Sequence, residues 1–223
     1  MIKLLKVSLA LLAALALEGL IAGSAAAIPL GFSCITGNLA GDCAIGEAQL
    51  AVDVSDLGGG QVLFTFTNAG PAASSITDVY FDDGTLLGIA GLIDADDAAL
   101  GYYGDAGVDF SQGASPPDLP GGNTIGFQTT AGFLADSDPP VSQNGVSVGQ
   151  SLGVVFSLQA GGTYADVISE LATGELRIGI HVQAFQSGGS ESFVNVPVPE
   201  PGTALLLGLG LTALGLRRRS GSD

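Results

Sequence analysis

The chain has no tryptophan, one methionine, one histidine, two cysteines, and only six Lys and Arg side chains against 22 Asp and Glu. Each shortage excludes something. With His181 the only imidazole, a multi-histidine metal centre is ruled out, and any histidine-dependent catalysis rests on that one residue. Without tryptophan, the strongest aromatic platform for a sugar ring is missing. The scarcity of cations matters most. Between Ile28 and Pro199 nineteen acidic side chains face a single base, Arg177, a balance of −18. A surface of that sign repels a phosphate backbone, because nucleic-acid affinity comes from Lys and Arg displacing counterions, so no nucleic acid is expected as a partner. The same charge favours solubility outside a cell, and divalent cations would relieve its self-repulsion.

The few basic residues that remain sit almost entirely at the two ends. Lys3 and Lys6 precede an apolar run from Val7 to Leu17, and small residues follow through Ala25, Ala26 and Ala27. That order is a secretory signal peptide with cleavage expected after Ala27 by signal peptidase. A retained anchor helix is the other reading, and Glu18, Gly19 and Gly23 count against it. At the other end Pro197, Pro199 and Pro201 exclude a helix interior or a central strand, leaving an extended segment open to a processing enzyme. An apolar stretch, Thr203 to Leu216, comes next, and Arg217, Arg218 and Arg219 close it. Its fourteen residues span roughly 21 Å as a helix, short of the ~30 Å hydrocarbon core. It reads as a short transmembrane helix whose basic end stays in the cytoplasm.

Pro199, Glu200 and Pro201, the apolar stretch and the Arg217 to Arg219 cluster together resemble a PEP-CTERM sorting signal. The resemblance implies that an exosortase, a membrane-embedded cysteine transpeptidase, recognises the tail, and that the protein is its substrate. It further implies a host that makes exopolysaccharide. A plain C-terminal membrane anchor is the alternative. Segments such as Ile76 to Gly84, Gly113 to Gly122 and Leu176 to Gln183 also resemble wording that recurs in ectodomains carrying this tail, and that resemblance brings no activity with it.

Between the ends, short alternating segments are punctuated by Gly, Ser, Thr and Asp. Ala48, Leu50, Val52 and Val54 alternate with Gln49, Ala51, Asp53 and Ser55, Gly58, Gly59 and Gly60 follow, and Val62, Phe64 and Phe66 resume the pattern as a hairpin. Further strands are predicted at residues 75–81, 124–129, 153–158, 176–185 and 191–196, with one short helix at residues 164–172. The fold class is therefore all-β, an antiparallel β-sandwich of jelly-roll-like type, flanked by the signal peptide and the short C-terminal helix. The domain reading is a signal peptide at 1–27, an acidic ectodomain at 28–196 and a sorting and anchoring segment at 197–223. Cys34 and Cys43, close together in an exported chain, are expected to form a disulfide.

The ectodomain offers two candidate chemistries. Gly149-Gln150-Ser151-Leu152-Gly153 matches a hydrolase elbow, with Asp166 and His181 following in hydrolase order. An elbow needs a strand before the serine and a helix after it, whereas Asn144-Gly145 precedes as a turn and Val154 to Phe156 follow as a strand. The better lead is acidic. Asp82 with Asp83, Asp105 with Asp109, and Asp136 with Asp138 cluster, and Asp94, Asp96 and Asp97 form the candidate calcium site, although no EF-hand spacing is present. Calcium is the one candidate cofactor. The expected function is a non-enzymatic surface or matrix protein, associated with exopolysaccharide and biofilm. The alternative is a calcium-assisted carbohydrate-binding module using Tyr80, Tyr102 and Tyr103.

Overall fold

In β2 (Leu50–Gly58) and β3 (Gln61–Asn68) every second side chain is buried: Leu50, Val52 and Val54 face Val62, Phe64 and Phe66, with Val52 opposite Phe66 and Val54 opposite Phe64. A two-residue period on a pleated strand gives one dry face and one wet face, which is what the sequence alternation demands. The turn between them needs left-handed backbone at Gly58, Gly59 and Gly60 (φ 75°, 63° and 78°), a conformation glycine adopts without steric cost. The computed structural model describes residues 27–83, 87–93 and 105–197.

The remaining strands are β1 (Ile28–Cys34), β4 (Ser75–Asp82), β5 (Leu87–Ile93), β6 (Phe110–Gln112), β7 (Leu134–Ser137), β8 (Val146–Ser147), β9 (Ser151–Leu158), β10 (Arg177–Gln183) and β11 (Glu191–Pro197). They form one sheet in the order β5-β9-β3-β2-β1-β11-β10-β4-β7-β6, with β8 beside β4, and every recorded pairing is antiparallel. Among the described residues three α-helices accompany it: α1 (Ala40–Gln49), α2 (Val141–Asn144) and α3 (Tyr164–Thr173).

The all-β antiparallel expectation holds, but the layers are not two separate sheets. Phe81 on β4 packs edge-to-face on Phe64 and Phe66 of β3 and on Phe156 of β9, at centroid distances of 5.1, 6.2 and 4.8 Å. Four strands separate β3 from β4 in the hydrogen-bonded order, so the sheet must curl until its two walls face each other across one core. The joint is β1, which pairs with β2 on one side and β11 on the other. At the far ends β5 and β6 come into contact, giving a curled half-barrel. Such aromatic pairs add about 0.5–1.5 kcal/mol each beyond the area they bury.

Two predicted segments take another form, and β1, β5, β6, β7, β8 and α2 lie outside the predicted elements. Residues 124–129, predicted as a strand, contain a 3-10 turn over Gly122–Ile125 flanked by left-handed Gly121 and Gly126. Ala48 and Gln49, predicted to open a strand, end α1 instead. That helix buries Asp42, Gly46 and Gln49 rather than an apolar stripe, and Gly46 lies against Phe193 so closely that a Cβ there would sit 2.2 Å from the ring. By contrast α3 falls where predicted. Thr163 and Asp166 form a capping box at its start, Gly174 ends it in left-handed conformation (φ 79°), and Val167 and Leu171 share its buried face.

Candidate functional site

Strand β11 has a neighbour on each side, β1 and β10, and ends at Pro197, paired with Leu30. Because β1 and β11 run antiparallel, the start of β1 at Ile28 and the end of β11 lie at the same end of the sheet. Both chain ends of the ectodomain therefore leave from one pole. The tail begins directly where a fully paired central strand stops.

At the opposite end of β11, Glu191 is 1 % exposed, and its carboxylate gathers the loop ahead of α1. It accepts hydrogen bonds from the Thr36 hydroxyl and the backbone N–H groups of Asn38 (3.0 Å) and Leu39, the residue that caps α1. A carboxylate at a helix N-terminus satisfies orphan N–H groups and complements the helix dipole. The expected Cys34–Cys43 disulfide is present beside it, joining β1 to α1 with Cα atoms 5.4 Å apart. Cys34, Cys43 and Glu191 are the one trio of Cys, His, Asp and Glu donors among the described residues close enough to share an ion. With both sulfurs bonded to each other, that corner is a covalent staple rather than a metal centre.

The outer face of β4, β7 and β10 carries a row of polar side chains set by register: Ser192 opposite His181, His181 opposite Asp78, Asp78 opposite Asp136, and Asp136 opposite Ser111. Asp78 is buried. Its Oδ2 accepts from the Thr77 hydroxyl at 2.9 Å and lies 3.1 Å from His181 Nδ1. Burial, followed by the charge of Asp78, pushes Asp136 up to about 6. Burial and the same two aspartates hold the Tyr80 phenol well above its ordinary range.

Residues 113–130 cover part of this face. Leu119 and Phe127 pack on Tyr80 and Val194 as a second, smaller apolar cluster, and the Tyr80 hydroxyl donates to the Pro116 carbonyl. Gly179 is required there, since a Cβ would come within 2.6 Å of Leu119. Arg177 clamps the cover. It pairs with Asp82, donates to the carbonyls of Ile125 (3.0 Å) and Gly126 (2.6 Å), and lies 5.3 Å over the Phe127 ring.

The sequence candidates are distributed as follows. Ser151 donates to Asp105, Asp166 caps α3, and His181 pairs with Asp78, so the three residues in hydrolase order serve three different local contacts. Tyr80 is fully buried and offers no face to a sugar. Asp82 is engaged by Arg177, and Asp138 accepts from Ser111. Asp94, Asp96, Asp97, Tyr102 and Tyr103 lie outside the described residues, as do most of the signal peptide, Pro199, Glu200 and Pro201, the Thr203 to Leu216 stretch, and Arg217, Arg218 and Arg219. Among the described residues no helix is long and apolar enough to cross a membrane. Glu191 and the Asp78–Asp136 pair are not singled out by sequence reasoning, and the alternation that puts Arg177, His181 and Gln183 on one strand face would turn His181 toward solvent. In fact His181 has a side chain only 14 % exposed, packed into a polar row.

The class defined so far is an antiparallel β domain whose central strand runs straight into a C-terminal tail. That tail makes the assignment more particular: residues 197–219 match the model of the PEP-CTERM protein-sorting motif. The match begins at the last residue of β11 and includes Pro199, Glu200, Pro201 and Arg217 to Arg219. The chain thus carries the sorting signal of an exported protein that is processed by an exosortase, held in the membrane beforehand and placed at the cell surface afterwards. No curated protein and no solved structure matches the chain.

Proposed function

We propose that this is a non-enzymatic protein of the cell surface or extracellular matrix, associated with exopolysaccharide and biofilm. Signal peptidase releases its N-terminus after Ala27, and the Thr203 to Leu216 helix holds it in the inner membrane until an exosortase cuts near Pro199. One observation carries the reading: the sorting motif starts where the paired strand β11 ends. Cleavage beyond Pro197 then leaves every described strand intact. The acidic surface, −18 between residues 28 and 199, keeps such a domain dispersed among hydrated polymers. The test is mass spectrometry of the mature protein from its host, with termini expected at Ile28 and close to Pro199.

The second reading is a calcium-assisted carbohydrate-binding module. It is supported by the acidic segment holding Asp94, Asp96 and Asp97, and by Tyr102 and Tyr103 nearby, but it has lost Tyr80 as a stacking residue. Calorimetry of the mature protein with calcium separates the two readings. A flat titration at millimolar calcium removes the second.

A further inference from the structure

Asp78 and Asp136 stand directly opposite each other on β4 and β7. Asp78 is 2 % exposed, and its Oδ2 is already engaged by Thr77 and His181. Its Oδ1 is buried without a hydrogen-bond partner, and a protonated Asp136 directly opposite is placed to donate to it. A buried carboxylate oxygen without a donor is costly, so the pair needs either a proton or a cation between its members. No Lys or Arg supplies the latter, and His181 meets Asp78 at Oδ2 rather than at Oδ1. Arg177, the only Lys or Arg between residues 28 and 199, is committed to Asp82. Nor does a third carboxylate, histidine or cysteine close up around the pair, because the one such trio among the described residues is at Cys34, Cys43 and Glu191.

We propose that Asp78 and Asp136 are a proton-operated latch: one proton shared between the two carboxyls holds β7 against β4, and its loss loosens β7, β6 and the cover formed by residues 113–130.

The seam is short enough to respond. Strand β7 meets β4 through three residue pairs, Asp78 with Asp136, Val79 with Ala135 and Tyr80 with Leu134, the Phe81 N–H adds one bond to the Phe133 carbonyl (3.0 Å), and among the described strands the three-residue β6 alone follows β7. The groups facing the pair are mostly of one sign. Tyr80 on β4 donates its hydroxyl to Pro116, Asp138 follows β7 and accepts from Ser111, and Asp118 approaches from the cover. His181 on β10 touches Asp78 from the other side, and a backbone hydrogen bond from Ser115 partly offsets the rise at Asp136.

The sign follows from where the proton is held more tightly. Asp136 is raised in the fold from 3.8 to about 6, so its proton contributes stability in full below about pH 4, and that contribution is lost as the pH climbs through about 6.

Hydrogen exchange of the mature protein at about pH 5 and about pH 7.5, corrected for intrinsic exchange, tests the latch together with the melting temperature. In the wild type, protection at residues 134–137 is expected to fall about tenfold at the higher pH, a figure reduced from the full linkage because Asp136 is partly solvent-screened. In Asp136→Asn the amide can donate to Asp78 at either pH, so protection stays high at both. His181→Gln keeps the wild-type response, which separates Asp136 from the imidazole. Equal corrected protection of the wild type at both pH values overturns the latch, and this comparison needs no variant to fold. An Asp136→Asn protein that loses protection like the wild type, or a His181→Gln protein with a flat response, also overturns it. Recovery of protection at about pH 7.5 on adding millimolar calcium would assign the gap to a cation instead.

Discussion

The two walls of the half-barrel are built on opposite economies. The β9-β3-β2 wall faces the core with Leu152, Val154, Phe156, Val62, Phe64, Phe66, Val52 and Val54, while most of its alternate side chains are half-buried. The β4-β10 wall contributes Val79, Phe81, Ile178 and Ile180 to the same core, yet its outer face is also buried, under residues 113–130 and through Asp78, Tyr80, Arg177 and His181. Stability and responsiveness therefore reside in different walls. Apolar burial is indifferent to pH, whereas the pair of buried Asp78 and half-buried Asp136 ties β7 to the solution's proton activity.

The largest expected effect tests the shared core. Phe81→Ala removes the ring that meets Phe64, Phe66 and Phe156, and is expected to cost about 3–5 kcal/mol in urea unfolding. A loss below about 1 kcal/mol would mean that the walls do not face each other as described. Next comes the corner at β11. Reducing the Cys34–Cys43 bridge, or replacing both cysteines with alanine, is expected to cost about 2–3 kcal/mol, and Glu191→Ala a similar amount, since it strips the acceptor from Thr36, Asn38 and Leu39. Smaller, but specific to the β4-β10 wall, is the pH response. The melting temperature should fall between about pH 5 and about pH 7.5 in the wild type and stay level in Asp136→Asn, as followed by circular dichroism. The smallest effect is at Ser151, on the other wall. Ser151→Ala should change stability by no more than about 1 kcal/mol, because it removes one hydrogen bond to Asp105.

The two walls also differ in how far they could be read from residues alone. Strands β2, β3, β9, β10 and β11 alternate or run apolar between glycines, and α3 carries its own capping box and closing glycine, so local chemistry declares them. Helix α1 was missed because its buried positions are Asp42, Gly46 and Gln49. What holds it is tertiary: the disulfide, Glu191 and the Phe193 ring against Gly46. Residues 124–129 imitate a strand, but Gly121 and Gly126 turn the backbone left-handed on either side of the 3-10 turn. The sorting motif was legible because its recognition depends on contiguous covalent sequence, Pro199 to Pro201 and the cluster ending at Arg219. The Asp78 row was not legible. His181 and Asp78 are 103 residues apart in the chain, and only the cross-strand register makes them neighbours.

Both ends of the ectodomain leave one pole of the sheet beside the paired β1 and β11, and processing at those two ends is the central proposal. Intact-mass and terminal-peptide spectrometry of the protein recovered from its host measures that directly. The account predicts an N-terminus at Ile28 and a C-terminus close to Pro199, with β11 complete. A mature chain still ending at Asp223 would contradict it, and would reduce the tail to a membrane anchor.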